Sequence, residues 1–116
     1  MQRDPRAFLW DVREAALAIQ AFTAKMDLTA YEANAMAQAA VERKFEIIGE
    51  ALNQFAKLDA TLAARIPDLA RIVAFRNQLI HGYTTINVST VWNVLRNALP
   101  PLLAVVEALL DELGQP

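Results

Sequence analysis

The chemistry-bearing residues of this chain crowd into one stretch, Arg76-Asn77-Gln78-Leu79-Ile80-His81-Gly82-Tyr83, which holds the only histidine. A guanidinium grips a phosphate or carboxylate with two parallel hydrogen bonds. An imidazole gives or takes a proton near neutral pH. A tyrosine just beyond presents a hydroxyl to the same space. On a straight helix Arg76 and His81 lie about 140° apart, so they do not share a face, whereas Asn77 and His81 do. For Arg76 and His81 to meet at one ligand, the helix must end near His81 or the two must come from different subunits. Gly82 supplies such an ending. At the last turn the helix dipole favours a protonated imidazole, as a general acid requires. The plainer reading is a C-terminal cap, a surface ion pair and a half-buried anchor, and spacing alone does not separate the two.

The elements that position these residues are helical. Asp4-Pro5 reads as an N-cap with proline at the first helical position, opening a helix to about Lys25 with Leu9, Val12, Ala16, Ile19 and Phe22 on one stripe. Thr29 and Glu32 form a capping box for a second helix from about Ala30 to Leu58, interrupted only by Gly49. Asp59 can cap a turn from Ala60 to Arg65, which Pro67 ends. Asp68 is placed to cap a helix over Leu69 to His81. Asn87 or Ser89 opens a last helix, Val88 to Leu113, which Pro100 and Pro101 must kink or split. No strand-period segment and no repeat is present. The expected fold is all-α, an up-and-down bundle of four to five helices, with residues 1–116 as a single domain.

Along the second helix Glu42, Glu46 and Glu50 recur at four-residue steps and repel one another unless cations lie near, which Arg43 and Lys44 answer in part. Glu50 either belongs to a solvated acidic stripe or reaches Arg76 or His81 and sets their orientation. Asn77 either orients the imidazole or is an ordinary helix residue. Gly49 in a helix interior costs about 1 kcal/mol against alanine, which suggests a close helix or subunit contact. Trp92, Leu95, Leu99 and Leu103 form a stripe suited to core or interface.

Bulk properties remove several function classes. The formal charge is -2 and the pI about 5.3, unlike proteins that hold nucleic acid diffusely. Arginine outnumbers lysine eight to three, favouring local forked contacts. With no cysteine and one histidine, thiolate sites and multi-histidine metal sites within one chain are excluded. The first ten residues are too charged for a signal peptide, and no apolar run approaches the roughly 18 residues of a membrane span. A cytoplasmic protein without membrane attachment is expected.

The form R-N-x-x-x-H-x-Y resembles the R-x4-H-x-Y signature of HepT-like toxins in the HEPN superfamily. Ala40-to-Gln54, with Gly49-Glu50-Ala51 at its centre, is similar to that family's second helix. Ile86-to-Leu103, with Val91-Trp92 and Leu99-Pro100, is similar to the stretch after its motif. Leu69 stands where tryptophan is frequent, Asn87 where aspartate is common, and Gly82 where an acidic residue often stands. The resemblance implies an all-helical homodimer, or a higher oligomer, with the motifs lining a cleft at the two-fold axis. It implies a toxin acting as a metal-independent endoribonuclease without cofactor, with Arg76 and His81 catalytic and RNA as substrate. Its implied partner is an MntA-like minimal nucleotidyltransferase antitoxin that adds AMP to Tyr83. One histidine per chain cannot easily act as both base and acid, so two copies meeting at the axis would complete the site and leave 2′,3′-cyclic phosphate ends. The rivals are a non-catalytic HEPN-type module that binds nucleotide or substrate beside a nucleotidyltransferase, and a purely structural helical dimer.

Overall fold

The computed structural model describes residues 3–81 and 86–114, within which every regular element is helical. The order is α1 Pro5–Thr23, α2 Leu28–Glu32, α3 Ala35–Leu58, α4 Ala60–Ala63, α5 Leu69–His81, α6 Val88–Asn97 and α7 Leu99–Leu113. At 24 residues α3 is about 36 Å long, close to the 41 Å longest dimension of the molecule. It is the axis of the bundle. Both α1 and α5 pack on it, α1 also packs on α7, and α6 packs on α2 and α7.

Short polar side chains start most of these helices. Asp4 Oδ1 accepts from Arg6 N at 2.9 Å with Pro5 leading α1, Asp59 accepts from Leu62 N at 3.0 Å, and Asn87 accepts from Ser89 N at 2.9 Å. Two expected boundaries need correction. The expected helix from Ala30 to Leu58 is two helices, because Asn34 turns the chain and caps α3 by accepting from Ala37 N at 2.9 Å. The Thr29/Glu32 capping box does not form, since Asp27 takes the cap two residues earlier, accepting from Ala30 N at 2.8 Å. Asp68 turns the corner into α5 in the left-handed region, φ 58°, which aspartate tolerates better than most residues, and its carboxylate faces Arg71 at 3.6 Å. Gly82, expected to stop α5, lies outside the described residues.

The last expected helix divides at Ala98, and α6 and α7 meet at a bend of 41°. Pro100 and Pro101 then fall in the first turn of α7, where their missing amide hydrogens have no helical partner to lose. Counting single-turn segments therefore gives seven helices rather than four or five among the described residues. The long rods, α1, α3, α5 and the bent α6–α7 pair, match the bundle the periodicity implied. No single helix among the described residues is long and apolar enough to cross a membrane.

The core runs along α3. Val41, Phe45, Ile48, Leu52 and Phe55 on its buried face join Leu9, Val12, Ala16 and Ile19 of α1. Phe45 meets Phe75 of α5 edge-on at 5.3 Å. Trp92, Leu95, Leu99 and Leu103 are all buried within this one chain, so that stripe is core rather than interface. Phe22, on the α1 stripe, instead stays 42% exposed.

Tyr31 is buried against Trp92, with ring centroids 5.2 Å apart, and its hydroxyl finds no hydrogen-bond partner. Burial, and then the Glu42 carboxylate, push the phenol up to about 12 from 10.0. An unfolded chain would release this proton first, so the phenol's contribution to stability is complete below pH 10 and is lost as pH rises toward 12. Tyr31→Phe is expected to raise stability by about 1 kcal/mol at neutral pH, because an unpaired buried hydroxyl is removed. It should also flatten the loss of stability above pH 10. Urea unfolding at neutral and alkaline pH measures both effects, and a destabilised Tyr31→Phe would reveal a hydrogen bond in solution.

Candidate functional site

The site is built where α5 crosses α3. Ile72, Phe75, Arg76 and Leu79 recur at three- and four-residue steps on the face that α5 turns toward the core. Arginine thus occupies a place in the apolar stripe. What admits it is Gly49. A Cβ built on that glycine would lie 2.2 Å from Arg76 Cβ and 2.5 Å from Arg76 Cγ. The Arg76 stem runs across the bare α3 backbone at a spot that no other residue type would leave open. Gly49 therefore makes a close contact between helices of one chain.

Beyond that crossing the guanidinium is held on several sides. Nη2 donates to Glu50 Oε2 at 2.6 Å, and Nη1 donates to Asn77 Oδ1 at 2.8 Å. Nε is sealed from solvent without a partner. Glu50 is steadied in turn by Gln54, whose Nε2 donates to Glu50 Oε1 at 3.1 Å across one turn of α3. The Arg76 side chain is 21% exposed, so its position is set by packing as well as charge. Each terminal nitrogen of a guanidinium carries two hydrogens, and the contacts described use one on each.

His81 is the last residue of α5 and is exposed, and among the described residues no hydrogen bond or ion pair engages its side chain. Within one chain it points about 140° around α5 from Arg76. Of Asn77, which either orients the imidazole or is an ordinary helix residue, the side-chain oxygen accepts from Arg76. The structure thus brings Arg76, Asn77 and Glu50 together and leaves His81 separate at the helix end. Tyr83 lies outside the described residues.

A cleft of about 240 Å³ opens beside Arg76 between α1, α3 and α5. It carries two further arginines that spacing along the chain does not group with the motif. Arg3 pairs with Asp11 at 2.7 Å and Arg43 approaches Glu46 at 4.0 Å, while Phe8 and Ile47 supply apolar wall. With Arg76 and Glu50, three arginine–carboxylate pairs therefore line one cleft. The two outer pairs, at Arg3 and Arg43, are largely exposed and contribute little, so a phosphate can exchange for the carboxylate there at modest cost. The only sequence signal for this grouping was the helical register of Arg43, Glu46 and Glu50.

The acidic stripe on α3 is not uniformly solvated. Glu46 and Glu50 each face an arginine, while Glu42 is half-buried, and burial followed by repulsion from Glu46 raises its carboxyl above the usual range. Among the described residues no three His, Asp or Glu side chains lie close enough together to hold a metal ion.

A family model described as Ribonuclease HepT-like matches residues 12–109. Among curated proteins, the chain is 32% identical over 108 residues to a protein of Methanocaldococcus jannaschii provisionally named an RNase, covering 91% of this chain and 96% of the relative. A second such protein of that organism is 30% identical over 114 residues, covering 97% of this chain and 92% of the relative. A protein of Thermococcus cleftensis named a probable ribonuclease HepT is 32% identical over 113 residues, covering 94% and 98%. No solved structure matches the chain.

Proposed function

This chain belongs to the HepT-like ribonuclease family, and on that premise we propose that it is a metal-independent endoribonuclease, the toxin of a toxin–antitoxin pair. The observation that carries the reading is an arginine pinned by Glu50 and Asn77, five residues before an exposed histidine on the same helix. The 2′-hydroxyl of the RNA attacks the adjacent phosphorus, one imidazole takes its proton, and the 5′-oxygen leaves with a proton from a second imidazole. Phosphorus keeps its bond to the 3′-oxygen, so the upstream product ends in a 2′,3′-cyclic phosphate.

Two imidazoles require two chains. Since Arg76 and His81 diverge around α5, a two-fold axis near the end of α5 places His81 of one copy toward Arg76 of the other. The remaining hydrogens on the terminal nitrogens of Arg76 then stabilise the charge that grows on the phosphorane oxygens. Glu50 and Asn77 act through Arg76 by fixing its orientation. Tyr83, two residues past His81, is the hydroxyl that an MntA-like nucleotidyltransferase would modify with AMP. A bulky anion there would block the phosphate.

The test is incubation of the full chain with bulk cellular RNA in excess chelator beside His81→Ala, with end-group analysis and an intact-mass measurement. Cyclic phosphate ends that appear only with the wild type are the expected result. Unmodified wild-type protein that leaves RNA intact would replace this reading with a non-catalytic module that binds nucleotide or RNA beside a nucleotidyltransferase.

A further inference from the structure

On the far side of α5 from Gly49, a groove separates α5 from α6. A hollow of about 300 Å³ there, floored by Ile72, Phe75 and Val94, runs into a second of about 330 Å³ over the ridge of Thr90, Val94 and Ala98. That size suits one planar ring system and is near the lower limit for small-ligand sites.

The rim has a particular chemistry. Gln78, Asn93 and Asn97 bring three side-chain amides and Thr90 a hydroxyl, all exposed. Each offers both a donor and an acceptor. Charge is confined to the Asp68–Arg71 pair at one end. A phosphate would prefer the arginine-lined cleft across α5, and an apolar helix would need a longer apolar strip than this floor provides. An unstacked nucleobase, with apolar faces and an edge of donors and acceptors, matches both floor and rim.

The register of α5 ties this groove to the histidine. Arg71, Ala74, Gln78 and His81 follow one another at three- and four-residue steps, so they share a face. The first three line the groove, and His81 lies about 5 Å further along the axis, less than one helical turn past Gln78. A chain whose base sits in the groove delivers its neighbouring phosphate to the end of α5.

We propose that the α5–α6 groove is a nucleobase subsite, in which Gln78, Asn93 and Thr90 select an unpaired base next to the scissile phosphate. The inference rests on the ribonuclease reading for its substrate, but its test reads binding rather than cleavage. The full chain carrying His81→Ala is titrated with short labelled homopolymers of U, A and C, and fluorescence anisotropy ranks the three bases. A spread of at least about tenfold in affinity is expected, since a good pair of contacts to a base edge is worth about that much. Adding Gln78→Ala or Asn93→Ala should shrink the spread to about threefold while leaving the salt dependence of binding unchanged, because no phosphate contact is removed. Thr90→Trp, which fills the groove from an exposed position, should abolish the ranking and leave residual affinity. Helical content by circular dichroism checks that each variant folds.

Equal affinity for all three polymers, or a ranking that survives these substitutions, overturns the proposal. So does a ranking that survives while light scattering shows the variants dissociating, which would assign the groove to a second copy of the chain. A protein that ranks bases but cuts no RNA would keep the subsite and lose the nuclease reading. One that cuts RNA without base preference would do the reverse.

Discussion

Gly49→Ala is expected to weaken both the fold and RNA cleavage, although helix propensity alone predicts a gain of about 1 kcal/mol from this change. The new methyl would lie 2.2 Å from Arg76 Cβ and 2.5 Å from Arg76 Cγ. These are atoms at the root of the arginine, so no rotamer change moves the first of them away. The helices α3 and α5 must separate instead. Overpacking of this kind costs about 1–3 kcal/mol, which exceeds the propensity gain over most of its range. A net loss of about 1 kcal/mol should lower the Tm by about 5 °C. Cleavage should fall more steeply, by at least about tenfold, because the 2.6 Å contact that orients Arg76 on Glu50 is lost with the crossing. In the Arg76→Ala background the Cβ remains and Gly49→Ala still destabilises. In the Arg76→Gly background the obstruction is gone, and the same substitution should become stabilising by about 1 kcal/mol. Equal stability and full activity for the single Gly49→Ala variant would refute the close crossing.

His81→Ala should lower cleavage by about a thousandfold, within the range that positioned acid–base groups contribute. The more informative measurement is its effect on wild-type protein. If each cleavage uses one His81 from each copy, a mixed dimer is as inactive as the variant itself. Activity after subunit exchange should then follow the square of the wild-type fraction, about one quarter at an equal mixture, whereas a site within one chain would give about one half. A linear decline, with exchange verified by differently tagged chains, would sink the two-histidine site, because one His81 would then suffice for each cleavage.

The helices were easy to read because their signals are local. Asp4-Pro5, Asp59 and Asn87 each satisfy amides two or three residues away, and the apolar stripe of α1 repeats within a single helix. Where the reading failed, two local signals competed. Thr29 with Glu32 made a plausible cap, yet Asp27 caps two residues earlier, and Asn34 ended a helix that alanine-rich propensity would have continued. At the candidate site the R-N-x-x-x-H-x-Y spacing pointed to Arg76, His81 and Tyr83, and charge periodicity made Glu50 a neighbour worth considering. Spacing did not assign Asn77 to Arg76. That choice depends on which way the guanidinium leaves the α3 crossing.

Local signals along the chain were enough for the helical character of the described residues, a helix over Leu69 to His81, a kink or split at Pro100 and Pro101 and membership in a recognisable family, because caps, periodicity and short motifs act over a few residues. Packing of whole helices was needed to bring Gly49 under Arg76, to gather Arg3 and Arg43 into its cleft, and to carry the His81 face of α5 into an amide-rimmed groove. Those relations join residues as far apart as 3 and 76, and the packing angle and depth of one helix on another set them. No local preference encodes a contact whose partner is fixed by how the whole core fills its volume.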